Sequence, residues 1–141
     1  MNKNGTIVIV EDDPDDQEMF TLVFKDLNYK NEILFFNDGQ EALTYLTGKT
    51  GEPFIVFSDI NMPRLNGLEL RNQILENEDI RLKTIPYLFF TTSAEQAAVI
   101  DAYSKSIQGF FIKPSSFQGL KSLLKIIVEY WQNCESPNYV K

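Results

Sequence analysis

Five short apolar stretches recur along the chain, and each one ends in polar or turn-forming residues. They cover residues 6–10, 32–36, 54–57, 86–90 and 109–112. Uninterrupted apolar runs bounded by turn residues are typical of strands that are buried on both faces, as in a parallel sheet. The pattern therefore predicts five buried strands.

The segments between these strands have the three-to-four-residue apolar spacing of amphipathic helices. Helices are predicted over about 14–27, 39–48, 67–76, 94–102 and 116–131, while residues 77–84 are predicted to form a surface connection. Asp13 is a good N-cap before Pro14, and Ser93 with Gln96 resembles a capping box. The predicted inner stripe of the first helix is Met19, Leu22, Val23 and Leu27.

Strands and helices alternate without interruption, which predicts an α/β fold with helices on both faces of a parallel sheet. For five such units we expect a doubly wound sheet with strand order 2-1-3-4-5. The length of 141 residues suits a single domain, with a core over about residues 6–131 and a short C-terminal tail over 132–141. The sequence shows no internal repeat and no interdomain linker.

The composition is that of an acidic globular protein, with 43% hydrophobic residues, 23% charged residues and a net charge of -7. This charge argues against non-specific binding to nucleic acid or to anionic membranes. The chain has no histidine and one cysteine, Cys134, which excludes an imidazole base, a histidine-ligated metal and an internal disulfide. Residues 1–5 lack an apolar signal region and no run reaches membrane-spanning length, so we expect a cytoplasmic protein.

Polar side chains directly follow four of the predicted strands: Glu11, Asp12, Asp59, Thr91 and Lys113. The carboxyl ends of parallel strands meet at one edge of the sheet, where open α/β sheets bind their ligands. Three carboxylates in one crevice repel one another unless a cation lies among them, and oxygen ligands suit Mg²⁺. The sequence therefore predicts a magnesium site at this edge.

The same edge has groups that suit a phosphoryl ligand. Lys113 adds a mobile positive charge and Thr91 a hydroxyl donor, and an aspartate can itself be the nucleophile that forms an aspartyl-phosphate. Charge counting does not decide which acid does so, although Asp59 stands alone after its strand and Glu11 and Asp12 form a pair suited to holding an ion. The acids that follow are interpreted as a solvated helix start stabilised by the helix dipole: Asp13, Asp15 and Asp16.

Taken together, four motifs resemble the receiver domain of two-component response regulators. They are Val10-Glu11-Asp12-Asp13, the loop from Asp59 to Gly67, Thr91 after a strand, and Lys113-Pro114. The lack of a following domain resembles single-domain receivers, and two segments are similar to the cyanobacterial phytochrome-partner type: Phe90-Thr91-Thr92-Ser93 and Tyr130-Trp131. The resemblance covers about residues 6–131 and implies a flavodoxin-like receiver fold.

The resemblance implies a role for each residue at the metal site. Asp59 would be the phosphoacceptor, and the cofactor would be Mg²⁺ or Mn²⁺. Asp12 would ligate the ion directly together with Asp59, and Glu11 would act largely through coordinated water. The backbone carbonyl of Asn61 would complete the site.

The resemblance also implies a switch around the phosphoryl group. Lys113 would pair with that group, and Thr91 would hydrogen-bond to it and shift inward, followed by Phe110 as the switch aromatic. Phe110 lacks the hydroxyl that many relatives have in a tyrosine at this position. Thr92 is bulkier than the alanine or glycine common there and is expected to slow phosphoryl entry, and the Lys113–Pro114 peptide bond is expected to be cis.

By resemblance, the chain is a phosphoprotein of a phosphorelay. A sensor histidine kinase or a phosphotransfer protein would donate the phosphoryl group, and an unknown output protein would read the result. We expect no turnover of an external substrate and no nucleic-acid or membrane partner. We also expect modest self-association, linked to phosphorylation, through the face of the fourth helix, fifth strand and fifth helix, which includes Tyr103 and Phe110.

Two other functions are open at this point. An aspartyl-phosphate hydrolase of the dehalogenase-like class would have its nucleophile in an Asp-x-Asp motif after the first strand, but here Asp13-Pro14-Asp15 is displaced into the helix start and no residues are left for a cap domain. A degenerate receiver that binds partners without phosphorylation would lack some of the site residues, whereas all five strand-end groups are intact.

Overall fold

In the computed structural model, which describes residues 1–48, 52–62, 64–92 and 95–136, strands and helices alternate as the sequence predicts. The strands are β1 (Ile7–Val10), β2 (Ile33–Phe36), β3 (Ile55–Ser58), β4 (Tyr87–Thr91) and β5 (Gly109–Ile112). The helices are α1 (Pro14–Leu27), α2 (Gly39–Thr47), α3 (Gly67–Glu76), α4 (Ile80–Lys83), α5 (Gln96–Ser104) and α6 (Phe117–Asn133).

The five strands form one parallel sheet in the order β2-β1-β3-β4-β5, which confirms the predicted fold class. In the centre of the sheet, Val10 pairs with Ser58 of β3, so Glu11 and Asp59 follow directly at the same edge. On the other side of β4, Thr91 pairs with Ile112 of β5, which places Lys113 at that edge as well. The register alone therefore brings the predicted site residues towards one another.

Two apolar cores cover the two faces of the sheet. One contains Ile7, Ile9 and Phe57 against residues of α1 and α6, and the other contains Val8, Val10 and Val56 against residues of α2 and α3. Alternate strand residues thus point to opposite faces, and both faces are buried, as expected for a parallel sheet. No helix in the described ranges has the length and apolarity needed to cross a membrane.

Between α3 and β4, the predicted surface connection is wrong in part, because it contains the short helix α4. Asp79 caps this helix by accepting a hydrogen bond from the backbone N–H of Arg81 at 3.0 Å. Leu82 and Ile85 are buried in the second core, so this segment closes the end of that core. Because charged residues surround these two apolar positions, the sequence pattern does not indicate that they are buried.

Two helix details also differ from the prediction. In α1 the buried residues are Phe20, Val23 and Phe24, and Met19 and Leu27 pack partly buried against the same core, so only Leu22 of the predicted stripe is wrong, being 49% exposed. Helix α5 begins at Gln96, two residues later than expected, with Glu95 as an N-cap that makes no side-chain cap hydrogen bond. Ser93, the expected capping residue, lies outside the described residues, as do residues 137–141 of the expected tail.

A buried arginine joins α3 to the end of α5. Arg71 is 1% exposed, and it donates to the backbone carbonyls of Lys105 at 3.0 Å and Ser106 at 2.6 Å. Its guanidinium lies 5.3 Å from the ring centroid of Tyr87, and its Nη1 has no hydrogen-bond partner among the described residues. Burial lowers the pKa of Arg71. The Arg71 cation thus interacts with carbonyls at the C-terminal, negative end of the α5 dipole rather than with a carboxylate.

We expect Arg71→Ala to lower the free energy of unfolding by about 3 kcal/mol, because it removes both hydrogen bonds that tie α3 to the end of α5 and opens a cavity in place of a buried side chain. The control is Arg81→Ala, since Arg81 forms an ion pair with Asp79 on the surface, where water screens the attraction and the loss of unfolding free energy should be small. Urea unfolding of the two variants measures the difference. An equal loss of unfolding free energy in the two variants would show that Arg71 does not stabilise the position of α5.

Candidate functional site

The Asp59 side chain is positioned by backbone contacts on both sides of the residue. Its backbone N–H donates to the Val10 carbonyl at 3.0 Å, which ties it to the end of β1. Its carboxylate Oδ1 accepts from the backbone N–H of Ile60 at 2.7 Å. These two bonds leave Oδ2 turned towards the remaining site residues.

The carboxylates of Glu11, Asp12 and Asp59 form a cluster in which one oxygen from each lies within 4.8 Å of the others. It is the one group of three or more potential metal-ligating side chains found within the described ranges. Glu11 is 2% exposed, Asp59 is half-buried and Asp12 is exposed. Burial raises the pKa of Glu11, although the Lys113 hydrogen bond opposes the shift. Three oxygen donors that lie this close and open to solvent on one side fit a hard divalent cation such as Mg²⁺.

Lys113 supplies the positive charge beside these carboxylates. Its Nζ donates to Glu11 Oε1, to Asp16 Oδ2 at 2.8 Å and to Asp59 Oδ2 at 3.1 Å. Burial acts to lower the pKa of Lys113, but the hydrogen bonds to Asp16 and Glu11 outweigh it, and the pKa is raised. The ammonium is therefore a fixed cation at neutral pH.

The loop between Asp59 and α3 is held by the start of α2. The Arg64 guanidinium binds the buried Asp38 carboxylate, with distances of 2.8 Å from Nε and 2.7 Å from Nη2. Burial acts to raise the pKa of Asp38, but the backbone N–H of Glu41 and Arg64 outweigh it, so the pKa is lowered. Arg64 itself has a φ of 62°, a left-handed conformation that this ion pair helps to hold.

Gly67 allows the loop to return close to the acceptor residue. A Cβ at this position would lie 2.2 Å from the Asp59 carbonyl oxygen and 2.7 Å from a ring carbon of Phe89. The Gly67 backbone N–H donates to the Ile60 carbonyl at 2.9 Å. Only a glycine therefore lets α3 begin directly behind the acidic cluster.

The predicted switch residues lie along β4 and β5. Thr91 is buried at the end of β4, and its side chain has no hydrogen bond to any described residue, while its carbonyl accepts from the Lys113 backbone N–H at 2.8 Å. Thr92 is exposed. Phe110 is half-buried and packs on Phe89, with ring centroids 6.0 Å apart. These positions are compatible with the predicted switch, but their roles stay predictions.

The expected cis bond before Pro114 is wrong. The structure has no cis peptide bond among the described residues, so the Lys113–Pro114 bond is trans while the Lys113 side chain contacts the cluster. The trans isomer is still favoured before proline by about 0.5–1 kcal/mol. Asn61 follows Asp59 by two residues and its side chain is exposed, and the role of its carbonyl as a metal ligand stays a prediction.

Asp16 is the site residue that the sequence interpretation missed. The sequence pattern predicts that Asp16 belongs to a solvated helix start, yet its carboxylate lies 2.8 Å from Lys113 Nζ and is only one-third exposed. It occupies the third position of α1, and helical side chains lean towards the N-terminus of their helix. That direction leads back to the carboxyl edge of the sheet and was a signal available in the sequence. Asp13 and Asp15, by contrast, interact within the cap of α1.

A doubly wound sheet with three carboxylates and a partly buried lysine at its carboxyl edge defines a phosphoacceptor domain of signalling proteins. The sequence model of the family described as "Response regulator receiver domain" matches residues 7–125. The chain belongs to this family of two-component signalling domains, as the four motifs predicted.

Three relatives illustrate the similarity. The chain is 34% identical over 129 residues to the probable methanogenesis regulatory protein FilR2 of Methanothrix harundinacea, covering 89% of this chain and 82% of FilR2. It is 28% identical to the response regulator Rcp1 of Synechocystis sp., covering 92% of this chain and 90% of Rcp1. The Mn²⁺-bound structure of Rcp1 superposes with a TM-score of 0.80 at 27% identity, covering 94% of this chain and 99% of that chain.

The phosphorylated cyanobacterial phytochrome response regulator RcpA has the same fold, with a TM-score of 0.81 at 24% identity over 93% of this chain and 96% of that chain. The matches to Rcp1 in sequence and in structure confirm the predicted similarity to the cyanobacterial phytochrome-partner type.

Proposed function

We propose that this chain accepts a phosphoryl group on Asp59 from the phosphohistidine of a sensor histidine kinase or a phosphotransfer protein. The observation that carries the proposal is the contact between Lys113 Nζ and Asp59 Oδ2 at 3.1 Å. Glu11 also contacts Lys113 but is almost fully buried, and Asp12 is exposed without a bond to Lys113. Among the three clustered carboxylates, Asp59 alone combines access from solvent with a cation placed to receive phosphoryl oxygens.

In the proposed reaction, an Asp59 carboxylate oxygen attacks the phosphorus atom of the donor. A P–O bond forms while the P–N bond of the phosphohistidine breaks, and the imidazole leaves with the electron pair and takes a proton from solvent. Lys113 donates to the phosphoryl oxygens, and the Thr91 hydroxyl, which has no other described partner, donates after moving inward.

The residues that would hold the cation are Glu11, Asp12, Asp59 and the Asn61 carbonyl. Bound there, Mg²⁺ or Mn²⁺ would neutralise charge on the carboxylates and on the phosphoryl oxygens. The donor set supports this choice, because all its members are oxygens and none is a thiolate or an imidazole.

The alternatives fit less well. A hydrolase nucleophile in Asp13-Pro14-Asp15 is disfavoured, because the Asp13 carboxylate accepts the backbone N–H of Asp15 as the N-cap of α1. A binding module that is never phosphorylated would not need a lysine held among carboxylates at this edge. We therefore infer a protein that promotes its own phosphorylation and dephosphorylation without turning over an external substrate. A cytoplasmic location is part of the proposal.

Labelling with acetyl phosphate tests the proposal. We expect about one phosphoryl group per chain, formed only with Mg²⁺ or Mn²⁺, lost with a chelator, and released by hydroxylamine as an acyl phosphate is. Absence of labelling would contradict the proposal and favour an unphosphorylated binding module. Steady turnover of p-nitrophenyl phosphate would favour the hydrolase instead.

Output is proposed to pass through protein contact on the surface formed by α5, β5 and α6. Helices α5 and α6 correspond to the fourth and fifth helices of the sequence prediction, because that prediction does not include the short helix α4. Within the described part of the chain, all but one of the large exposed apolar side chains lie on this surface: Ile100, Tyr103, Ile112, Ile126 and Tyr130. Exposed apolar patches of this kind mark protein partners. Phe110 lies in β5 and would connect the surface to Thr91.

The same surface supports self-association. We expect light scattering over a concentration series to show dimers whose fraction rises with the phosphoryl mimic beryllofluoride. Ile126→Ser should weaken association about tenfold, whereas Leu22→Ser, which removes an equally apolar exposed side chain from α1, should have little effect. A monomer at every concentration with beryllofluoride would remove this part of the proposal.

A further inference from the structure

The Lys113 ammonium uses all of its hydrogen-bonding capacity. An ammonium has three N–H donors, and the structure supplies three carboxylate acceptors, from Glu11, Asp16 and Asp59. Lys113 is only 10% exposed at its side chain, so its contacts are protected from water. Because the three N–H directions are fixed relative to one another, any two of these contacts determine where the third N–H points.

Asp16 differs from the other two acceptors. Glu11 and Asp59 belong to the cluster that can hold a metal ion, and within the described residues Asp16 does not. Within the described ranges, Asp16 is thus the acceptor whose one ionic partner is Lys113, at 2.8 Å. It also stands on α1, an element separate from the three strands whose ends carry Glu11, Asp59 and Lys113.

We propose that Asp16 is a positioning residue for phosphorylation: with Glu11, it holds the Lys113 ammonium so that the third N–H points at the reacting oxygen of Asp59. This inference rests on the proposed function and adds to it. When the phosphoryl group is attached to Asp59, one of its oxygens replaces Asp59 Oδ2 as the third acceptor, and the contacts to Asp16 and Glu11 do not have to change. Without Asp16, the ammonium has one free N–H and can rotate away.

The test compares Asp16→Ala with Asp15→Ala and Asp16→Asn. The Asp15 variant loses the same charge from the same helical turn, but Asp15 is exposed and has no bond to Lys113. We expect Asp16→Ala to slow labelling at saturating acetyl phosphate and Mg²⁺ by about tenfold, and Asp15→Ala to change it by less than about twofold. Asp16→Asn keeps an acceptor oxygen without the charge and should lie between them.

A second readout does not depend on phosphorylation. Nitrogen-15 NMR of the unphosphorylated protein should show Lys113 ammonium protons that exchange slowly with water. The slow exchange should be retained in Asp15→Ala and become faster in Asp16→Ala. Thermal unfolding of both variants controls for a general loss of stability.

The outcomes separate the two claims. If the unaltered protein is not labelled at all, the proposed function fails and this inference fails with it. If the unaltered protein is labelled but both alanine variants label at equal rates, or the Lys113 ammonium signal does not change, only the role of Asp16 is overturned.

Discussion

Asp59→Asn should abolish Mg²⁺-dependent labelling by acetyl phosphate. The substitution keeps the shape of the side chain and an oxygen that can accept the Ile60 N–H, which Asp59 Oδ1 accepts at 2.7 Å. It replaces the nucleophilic carboxylate with a neutral amide, so no acyl phosphate can form at this position. The expected labelling is therefore background, measured by radioactive phosphate retained on the protein.

The control for this variant is Asp15→Asn. Asp15 lies in the first turn of α1 and is exposed, so the change in formal charge is the same while the cluster is untouched. We expect this control to label as the unaltered protein does. Labelling that persists in Asp59→Asn would mean that Glu11, Asp12 or another carboxylate accepts the phosphoryl group.

Lys113→Met should move two measurements in opposite directions. Removing the cation placed towards the phosphoryl oxygens should slow labelling about a hundredfold, in line with the loss of one electrostatic donor from a reaction site. The same change leaves Glu11, Asp12 and Asp59 without their internal cation, so the repulsion among them is relieved only by an added ion. Mg²⁺ binding, measured by calorimetry at pH 8, should therefore tighten about tenfold.

The control is Lys121→Met, which also removes one positive charge. Lys121 pairs with Asp26 near the C-terminal end of α1, whereas the N-terminal end of α1 follows Glu11 and Asp12. This control should leave both measurements nearly unchanged. Weaker Mg²⁺ binding in Lys113→Met would show that Lys113 supports the cluster mainly as a structural partner rather than as a competitor of the ion.

Much of the fold was readable in the sequence because both faces of the sheet are covered. A strand buried on both sides is a continuous apolar run, and the parallel order then follows from the alternation with helices. The sequence does not predict features in which apolar and charged positions are mixed or in which two apolar patterns overlap. The α4 segment places Leu82 and Ile85 among charged residues. In α1 two apolar stripes overlap, so the spacing predicts Leu22 as a core residue although it is exposed.

The candidate site was predictable where its residues directly follow strands, as Glu11, Asp12, Asp59 and Lys113 do. Asp16 and Arg64 were not, because their contacts depend on how a helix and a loop return to the sheet edge. Arg71 is a further case: its sequence position suggests a solvent-exposed helix residue, yet tertiary packing places it over Tyr87 at the end of α5. Long side chains of this kind take partners that local periodicity does not reveal.

The central claim is that Asp59 receives the phosphoryl group, and chemical trapping tests it most directly. Borohydride reduces an aspartyl-phosphate to homoserine, and tryptic cleavage releases residues 50–64, in which Asp59 is the one aspartate. After labelling with acetyl phosphate and Mg²⁺, mass spectrometry should find homoserine at position 59 of this peptide and none in the unlabelled control. Homoserine at Asp12 or at any other aspartate, with position 59 unchanged, would contradict the assignment.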